Sequence, residues 1–269
     1  MNAQYGSHRR VAAVEEALRA AGFGAGTIPW EALAPLDQFH VGGLAATRQL
    51  AERLAISPRS RVLDVGSGLG GPSRFLAATY DCDVTGIDCT MPFVEIAEML
   101  TQRTGLADRV RSLPGDATAL PFEDRCFDIA WSQHVAMNIA DRAGLYAGVY
   151  RVLVPGGRFA MYDVIAGDAG TIEYPVPWAS DATGSYVTSA AEMRGALETA
   201  GFTIEVWADT TEAALASFAT PPLGIGRGSA LALPVVVGAD FPVRAGNLAR
   251  NIREGRARLV QVVASRSAL

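Results

Sequence analysis

The stretch Asp64-Val65-Gly66-Ser67-Gly68-Leu69-Gly70-Gly71 decides the fold class of this chain. It continues an apolar run at residues 62–65 that indicates a buried strand, and residues 72–80 behind it have helical spacing. Glycines in the turn permit positive φ angles and let the backbone approach a ligand closely. The first turn of a helix also offers unpaired N–H groups. The stretch therefore predicts a strand, a ligand-binding turn and a helix.

The same strand–helix unit repeats farther along the chain. Further strands are predicted at 83–88, 110–113, 127–132, 158–164, 202–207 and 258–264, and helices between them at 92–104, 142–153 and 189–200. Alternation of this kind is typical of an α/β fold with a parallel sheet covered by helices on both faces. We therefore expect a Rossmann-like, doubly wound sheet.

The length of 269 residues and the apolar fraction of 49% suit one α/β domain with additions. We expect residues 1–58 to form an N-terminal helical cap and residues 59–208 a cofactor-binding core. Residues 209–255 are predicted to be a lid insertion between the last two strands, and residues 256–269 to carry the last strand.

Charge and composition exclude several classes of function. The formal net charge of −5 argues against nucleic acid as a partner, because phosphate binding needs a basic surface. The sequence lacks the long uncharged apolar stretch of a membrane span and an N-terminal signal peptide, so we expect a cytoplasmic protein without a membrane partner. Cys82, Cys89 and Cys126 have no metal-ligand or disulfide spacing, and no metal site is predicted.

Three carboxylates accompany the glycine-rich turn. The glycines alone fit the dinucleotide pattern Gly66-x-Gly68-x-x-Gly71, which is weak support for a nicotinamide enzyme. Asp64 precedes the turn and suits an ammonium group, whereas Asp88 ends the next strand at the spacing of a ribose-binding acid. Asp116 follows the third strand, where it can meet an adenine amine. An ammonium, a ribose and an adenine in this order describe S-adenosylmethionine.

These residues, taken as a set, resemble the motifs of class I S-adenosylmethionine-dependent methyltransferases. The matching motifs are Val62 to Gly71, Asp88, Gly115-Asp116-Ala117 and Leu153-Val154-Pro155-Gly156-Gly157. The resemblance implies a seven-stranded sheet whose last strand, here residues 258–264, is antiparallel. Given this resemblance, a nicotinamide oxidoreductase and a non-enzymatic scaffold protein are the less favoured alternatives.

Other segments resemble the sarcosine/dimethylglycine N-methyltransferase group. They are Asp37 to Gly43, Gly68 to Pro72 and Ser132 to Asn138. The resemblance implies that the first of these segments lies over the cofactor or the substrate. We therefore expect methyl transfer to a nitrogen of a small molecule by in-line displacement. An O- or C-methyltransferase for a more apolar natural product is the alternative, since relatives with such motifs methylate nitrogen, oxygen or carbon.

The site residues follow from these motifs and from the carboxyl ends of the predicted strands, where ligands bind in such sheets. His134 is the expected general base, because imidazole exchanges protons near neutral pH, and Asp163 and His40 are further catalytic candidates. The cofactor-binding candidates are Asp64, Gly66, Ser67, Gly68, Asp88, Cys89, Asp116, Ala117, Gln133 and Gln38. The substrate-binding candidates are Phe39, Asn138, Tyr162 and Trp178.

The acceptor is left open by the sequence. A carboxylated amine would need an arginine in the pocket, for which Arg9, Arg48 and Arg227 are candidates. The apolar segment 231–237 would instead suit an apolar acceptor if it covers the site. Tyr5 would close the site if the N-terminus folds over it, and a homodimer through the insertion is a further possibility.

Overall fold

A single seven-stranded sheet forms the core of the computed structural model, which describes residues 9–219 and 231–268. The strands are β1 (Arg61–Val65), β2 (Asp83–Asp88), β3 (Val110–Pro114), β4 (Phe127–Gln133), β5 (Leu153–Ala166), β6 (Phe202–Asp209) and β7 (Ala257–Arg266). Their order is β3-β2-β1-β4-β5-β7-β6, and β7 runs antiparallel to both neighbours. The predicted Rossmann-like sheet and its antiparallel last strand are therefore confirmed.

Ten α-helices occur in the described ranges. They are α1 (Arg9–Ala20), α2 (Ala34–Asp37), α3 (Gly43–Ala51), α4 (Gly71–Tyr80), α5 (Met91–Arg103), α6 (Arg142–Val152), α7 (Ala190–Thr199), α8 (Thr211–Ala219), α9 (Pro234–Val237) and α10 (Phe241–Arg253). Helix α7 begins with a capping box formed by Ser189 and Glu192. The four-residue helices α2 and α9 were not predicted, because one helical turn is too short to show a period.

The sheet buries both of its faces. Val62 of β1 belongs to one apolar cluster, and the next residue, Leu63, belongs to the cluster on the opposite face. This alternation follows from the period of two in a strand. A third cluster joins Leu18 of α1, Phe93 of α5 and Val236 of α9. The N-terminal segment and the insertion between β6 and β7 therefore pack together beside the glycine-rich turn.

A buried ion pair fastens the segment before α3 to the core. Arg74 of α4 donates from Nη2 to Asp37 Oδ2 at 2.8 Å and to the Leu69 carbonyl at 2.7 Å. Its Nη1 donates to the Ala97 carbonyl and to Thr101 Oγ1. The two charged side chains are only 1% and 3% exposed. One guanidinium therefore holds the N-terminal segment, the glycine-rich turn and α5 in a fixed relation.

Replacement of this arginine tests its structural importance. We expect Arg74→Met to lower the free energy of unfolding by about 3–5 kcal/mol, because the buried Asp37 loses its charge partner. Urea unfolding followed by circular dichroism measures the change. The matched control is Arg61→Met, which breaks the exposed pair with Asp128 and should cost about 0–1 kcal/mol. Equal losses in the two variants would contradict this assignment, whereas Asp37→Leu combined with Arg74→Met should recover stability.

Candidate active site

A cavity of about 2080 Å³ opens at the carboxyl ends of β1, β2 and β4. The turn after β1 forms part of its wall, with φ angles of 70° at Gly66 and 54° at Gly68. A Cβ atom on Gly66 would lie 2.4 Å from Val135 Cγ2, so a side chain does not fit there. The volume exceeds that of typical pockets for one small ligand, about 300–1,000 Å³, and suits two ligands side by side.

Asp88 joins two turns at the floor of this cavity. Its Oδ2 accepts from the Gly68 N–H at 2.9 Å, and its Oδ1 accepts from the Thr90 N–H at 2.8 Å. Burial raises the pKa of Asp88, and these two hydrogen bonds oppose the rise. Each carboxylate oxygen keeps a second lone pair. The carboxylate is therefore held rigidly and can still accept hydrogen bonds from two vicinal hydroxyl groups.

The neighbouring wall carries Cys89, Asp116 and Ala117, all three on the cavity surface as expected for cofactor residues. Asp116 Oδ1 accepts from the backbone N–H and the hydroxyl of Thr118, each at 2.8 Å. These hydrogen bonds lower the pKa of Asp116. The carboxylate is therefore ionised at neutral pH and suited to an amino group.

Four polar side chains, Gln38, His40, Gln133 and His134, line the cavity from the segment before α3 and from the end of β4. The Gln133 Nε2 and His134 Nε2 atoms are buried and have no hydrogen-bond partner among the described residues. An unpaired buried polar atom costs about 1–3 kcal/mol, so these two atoms mark positions where a ligand would supply a partner.

Both histidines of this wall are neutral at physiological pH. Burial, and then the proximity of His40, hold the pKa of His134 well below its usual value. Burial also lowers the pKa of His40 to about 4, although the Gly43 carbonyl opposes this. The ring centroids of the two histidines are 6.0 Å apart, and the Tyr162 ring is 5.0 Å from His134. Neutral imidazoles at this position can accept a proton.

Four of the expected site residues, Asp64, Ser67, Tyr162 and Asp163, lie behind the cavity wall rather than on it. Asp64 accepts from Ser73 Oγ at 2.6 Å, and burial raises the pKa of Asp64 to about 7. Asp163 accepts from the Ala136 N–H at 3.0 Å. In this geometry Asp64 stabilises the start of α4, and Asp163 stabilises the turn after β4.

The part of the cavity wall that comes from the insertion between β6 and β7 and from the segment with Trp178 is largely apolar, and we call it the far end. Its apolar lining includes Trp178, Phe218, Leu233, Val237, Phe241 and Leu248. Phe39 lines the cavity beside the glycine-rich turn, where a Cβ atom on Gly68 would lie 3.7 Å from its ring, and Asn138 lines it with Nδ2 donating to the carbonyls of His134 and Val135. Residues 220–230 of the insertion lie outside the described ranges.

A polar stripe on α10 was not predicted. Arg244 Nη1 donates to the carbonyls of Val176 and Ala179, and Asn247 Nδ2 donates to the Pro175 carbonyl. These contacts hold the segment that carries Trp178 against the insertion. The sequence does place an arginine and an asparagine three residues apart on one helical face. Their partners are backbone atoms, however, and a sequence does not show which backbone atoms a side chain will contact.

Arg48 is the one arginine among the described residues that line the cavity. The side chain of Arg9, and the whole of Tyr5 and Arg227, lie outside the described residues. Within the described ranges, no group of three or more histidine, cysteine or acidic side chains is arranged to hold a metal ion. None of the described helices is both long and apolar enough to cross a bilayer.

Residues 63–161 match the family model of the methyltransferase domain. A glycine/sarcosine/dimethylglycine N-methyltransferase of Actinopolyspora halophila is 32% identical over 135 residues, which is 50% of this chain and 24% of that protein. A botryococcene C-methyltransferase of Botryococcus braunii is 34% identical over 132 residues, 49% of this chain and 35% of that protein. The matched part thus spans about a third or less of these relatives.

The fold is shared with solved structures at low identity. Phosphoethanolamine N-methyltransferase 2 of Haemonchus contortus, in complex with S-adenosyl-L-methionine, aligns with a TM-score of 0.69 at 18% identity. The alignment covers 99% of this chain and 58% of that chain. The chain therefore contains a segment that matches a methyltransferase domain, within a fold shared with a structure in complex with S-adenosyl-L-methionine.

Replacement of Asp88 tests the floor of the cavity. We expect Asp88→Ala to weaken binding of S-adenosylmethionine by about 1–3 kcal/mol, because a buried acceptor for hydroxyl groups is lost. Isothermal titration calorimetry measures the affinity. The control Asp83→Ala removes an exposed carboxylate at the opposite end of the same strand and should leave the affinity unchanged. Unchanged affinity in Asp88→Ala would contradict the ribose assignment.

Proposed function

We propose that this protein transfers the methyl group of S-adenosylmethionine to a hydroxyl or enol oxygen of an apolar small molecule. The observation that carries the proposal is the division of one cavity into two ends. Fixed carboxylates and carboxamides line one end, apolar side chains line the other, and two neutral histidines line the same cavity.

The residues at the polar end fit S-adenosylmethionine. Asp88 suits the ribose hydroxyls, and Asp116 with Ala117 suits the adenine. The backbone of the turn at Gly66 and Gly68, which has positive φ angles, lines the cavity without side chains and leaves room for a ligand to approach it. The buried, unpaired Nε2 of Gln133 suits the carboxylate of the amino-acid tail, with Gln38 beside it. When bound, the cofactor supplies a methyl group already activated by its sulfonium.

The chain itself then has three tasks. The apolar lining excludes water from the transfer, and the fixed walls hold the two ligands at reactive distance and orientation. His134, with His40 beside it, takes the proton of the acceptor, which a neutral imidazole does without first losing a proton of its own. In this proposal Phe39, Asn138 and Trp178 contact the acceptor, and Asp64, Ser67, Tyr162 and Asp163 support the residues that do.

Nitrogen as the acceptor atom, our expectation from the sequence, remains the second candidate. The similarity to the N-methyltransferase of Actinopolyspora halophila supports it, as do the acidic side chains of Glu31 and Asp141 on the cavity wall. The apolar far end supports oxygen in an apolar molecule, or carbon as in the second relative. The predicted segment boundaries, the lid, the homodimer and the cytoplasmic location remain proposals.

An acceptor screen separates these candidates. We expect apolar phenols, enols and hydroxylated terpenoid or polyketide-like molecules to release S-adenosylhomocysteine, measured by mass spectrometry. Sarcosine and dimethylglycine should give no product above background, because small zwitterions gain little from an apolar wall and lose their hydration there. If only the amines are methylated, the proposal of an oxygen acceptor is wrong and the acceptor atom is nitrogen.

Removal of the proposed base gives a second test. We expect His134→Ala to lower kcat by about 10²–10⁴-fold while S-adenosylmethionine still binds. Full activity in this variant would show that His134 is not the general base.

The pH profile tests the state of the histidines in the unmodified protein. Because their pKa values are lowered, both imidazoles are already neutral, so kcat should stay level between about pH 6 and 8 and fall only on further acidification. A rise of kcat with a midpoint at the ordinary histidine pKa would contradict this assignment.

A further inference from the structure

Thr47 of α3 is a buried threonine that does not line the cavity, although it contacts three side chains that do. Its Oγ1 lies 2.8 Å from Gln38 Oε1, 2.9 Å from His40 Nε2 and 3.2 Å from Gln133 Oε1. The side chain is fully buried. We propose that Thr47 is a positioning residue, whose hydroxyl accepts from His40 Nε2–H and donates to Gln38 Oε1 and so holds these two side chains in a fixed relation beside Gln133. This inference rests on the proposed function for the roles of those three residues.

The orientation of the Gln133 amide follows from its partners. Trp131 Nε1 can only donate, and it lies 3.0 Å from Gln133 Oε1. The Thr47 hydroxyl approaches the same oxygen. The oxygen of the amide is therefore held on the side of Trp131 and Thr47, and the buried, unpaired Nε2 is left as a donor to a ligand.

The tautomer of His40 follows from a backbone carbonyl. His40 Nε2 lies 2.9 Å from the Gly43 oxygen, which can only accept, so Nε2 carries the hydrogen. In a neutral imidazole the lone pair is then on Nδ1. Nδ1 is thus the atom of His40 that can accept a proton.

These assignments require the Thr47 hydroxyl to act in both directions. The hydrogen on His40 Nε2 is shared between the Gly43 carbonyl and the Thr47 oxygen, so Thr47 accepts from it. Thr47 donates its own hydrogen to the nearer carboxamide oxygen, Gln38 Oε1. A valine of the same shape can do neither, whereas a serine can do both. The consequence is an ordered chain of hydrogen bonds from His40 through Thr47 to the Gln38 carboxamide, formed before any ligand binds.

The tautomer is tested on the protein without ligands. The chain has three histidines, so two-dimensional ¹H–¹⁵N spectra of the imidazoles resolve them, and His40→Gln assigns the signal. We expect His40 as the Nε2–H form, with its ¹⁵N shifts moving toward averaged values in Thr47→Val because one acceptor is lost. An Nδ1–H form in the unmodified protein, or identical spectra in Thr47→Val, would overturn the inference.

Cofactor affinity tests the positioning role. We expect Thr47→Val to bind S-adenosylmethionine about tenfold more weakly, and Thr47→Ser to bind close to the unmodified protein. The matched control is Thr85→Val, which removes a buried hydroxyl bonded to Arg111 and should not change the affinity. Thermal unfolding verifies that each variant is folded.

The outcomes of the two experiments are separable. Unchanged affinity in Thr47→Val, or equal weakening in Thr47→Ser, would overturn the positioning role. If the unmodified protein binds no S-adenosylmethionine, the proposed function fails. The imidazole spectra and the side-chain amide signals of Gln38 then decide alone whether Thr47 orders these groups.

Discussion

The buried pair between Arg74 and Asp37 is the constraint on which the rest of the site depends. A guanidinium that is 1% exposed finds its hydrogen-bond partners inside the protein. Its two terminal nitrogens donate to a carboxylate, two backbone carbonyls and a hydroxyl on three separate segments, whereas its Nε has no partner among the described residues. Because Asp37 is adjacent to Gln38, Phe39 and His40, fixing its carboxylate also fixes the wall that these residues form beside the glycine-rich turn.

The edge of a parallel sheet explains why one cavity can have two different ends. The carboxyl ends of β1, β2 and β4 leave short turns that carry acidic and amide side chains, which suit a polar ligand. The opposite wall comes from the insertion and from the segment that carries Trp178, which bury apolar side chains against each other. A polar stripe on α10 satisfies the backbone of that segment, so the wall stays apolar without leaving carbonyl groups unpaired.

The fold and much of the cofactor end were predictable from local patterns. Strand periodicity, glycines and a carboxylate after each strand placed Gly66, Asp88 and Asp116 at one edge of the sheet, where the structure has them. The sequence did not show which partners the carboxylates of Asp64 and Asp163 take, which in the structure are Ser73 Oγ and the Ala136 N–H. That choice depends on register and on the partner segment, which are long-range properties.

The sequence by itself determined the α/β fold and the placement of Gly66, Asp88 and Asp116 at one edge of the sheet, because these depend on patterns within a few residues or on spacing between motifs. Only the tertiary structure decided which distant segments contact each other. It placed Thr47 between Gln38, His40 and Gln133, it left Gln133 Nε2 and His134 Nε2 unpaired, and it gave the cavity an apolar wall from the insertion. The physical reason is that hydrogen bonding and burial are properties of atoms brought together in space, so residues far apart in the chain acquire a role only when folding makes them neighbours.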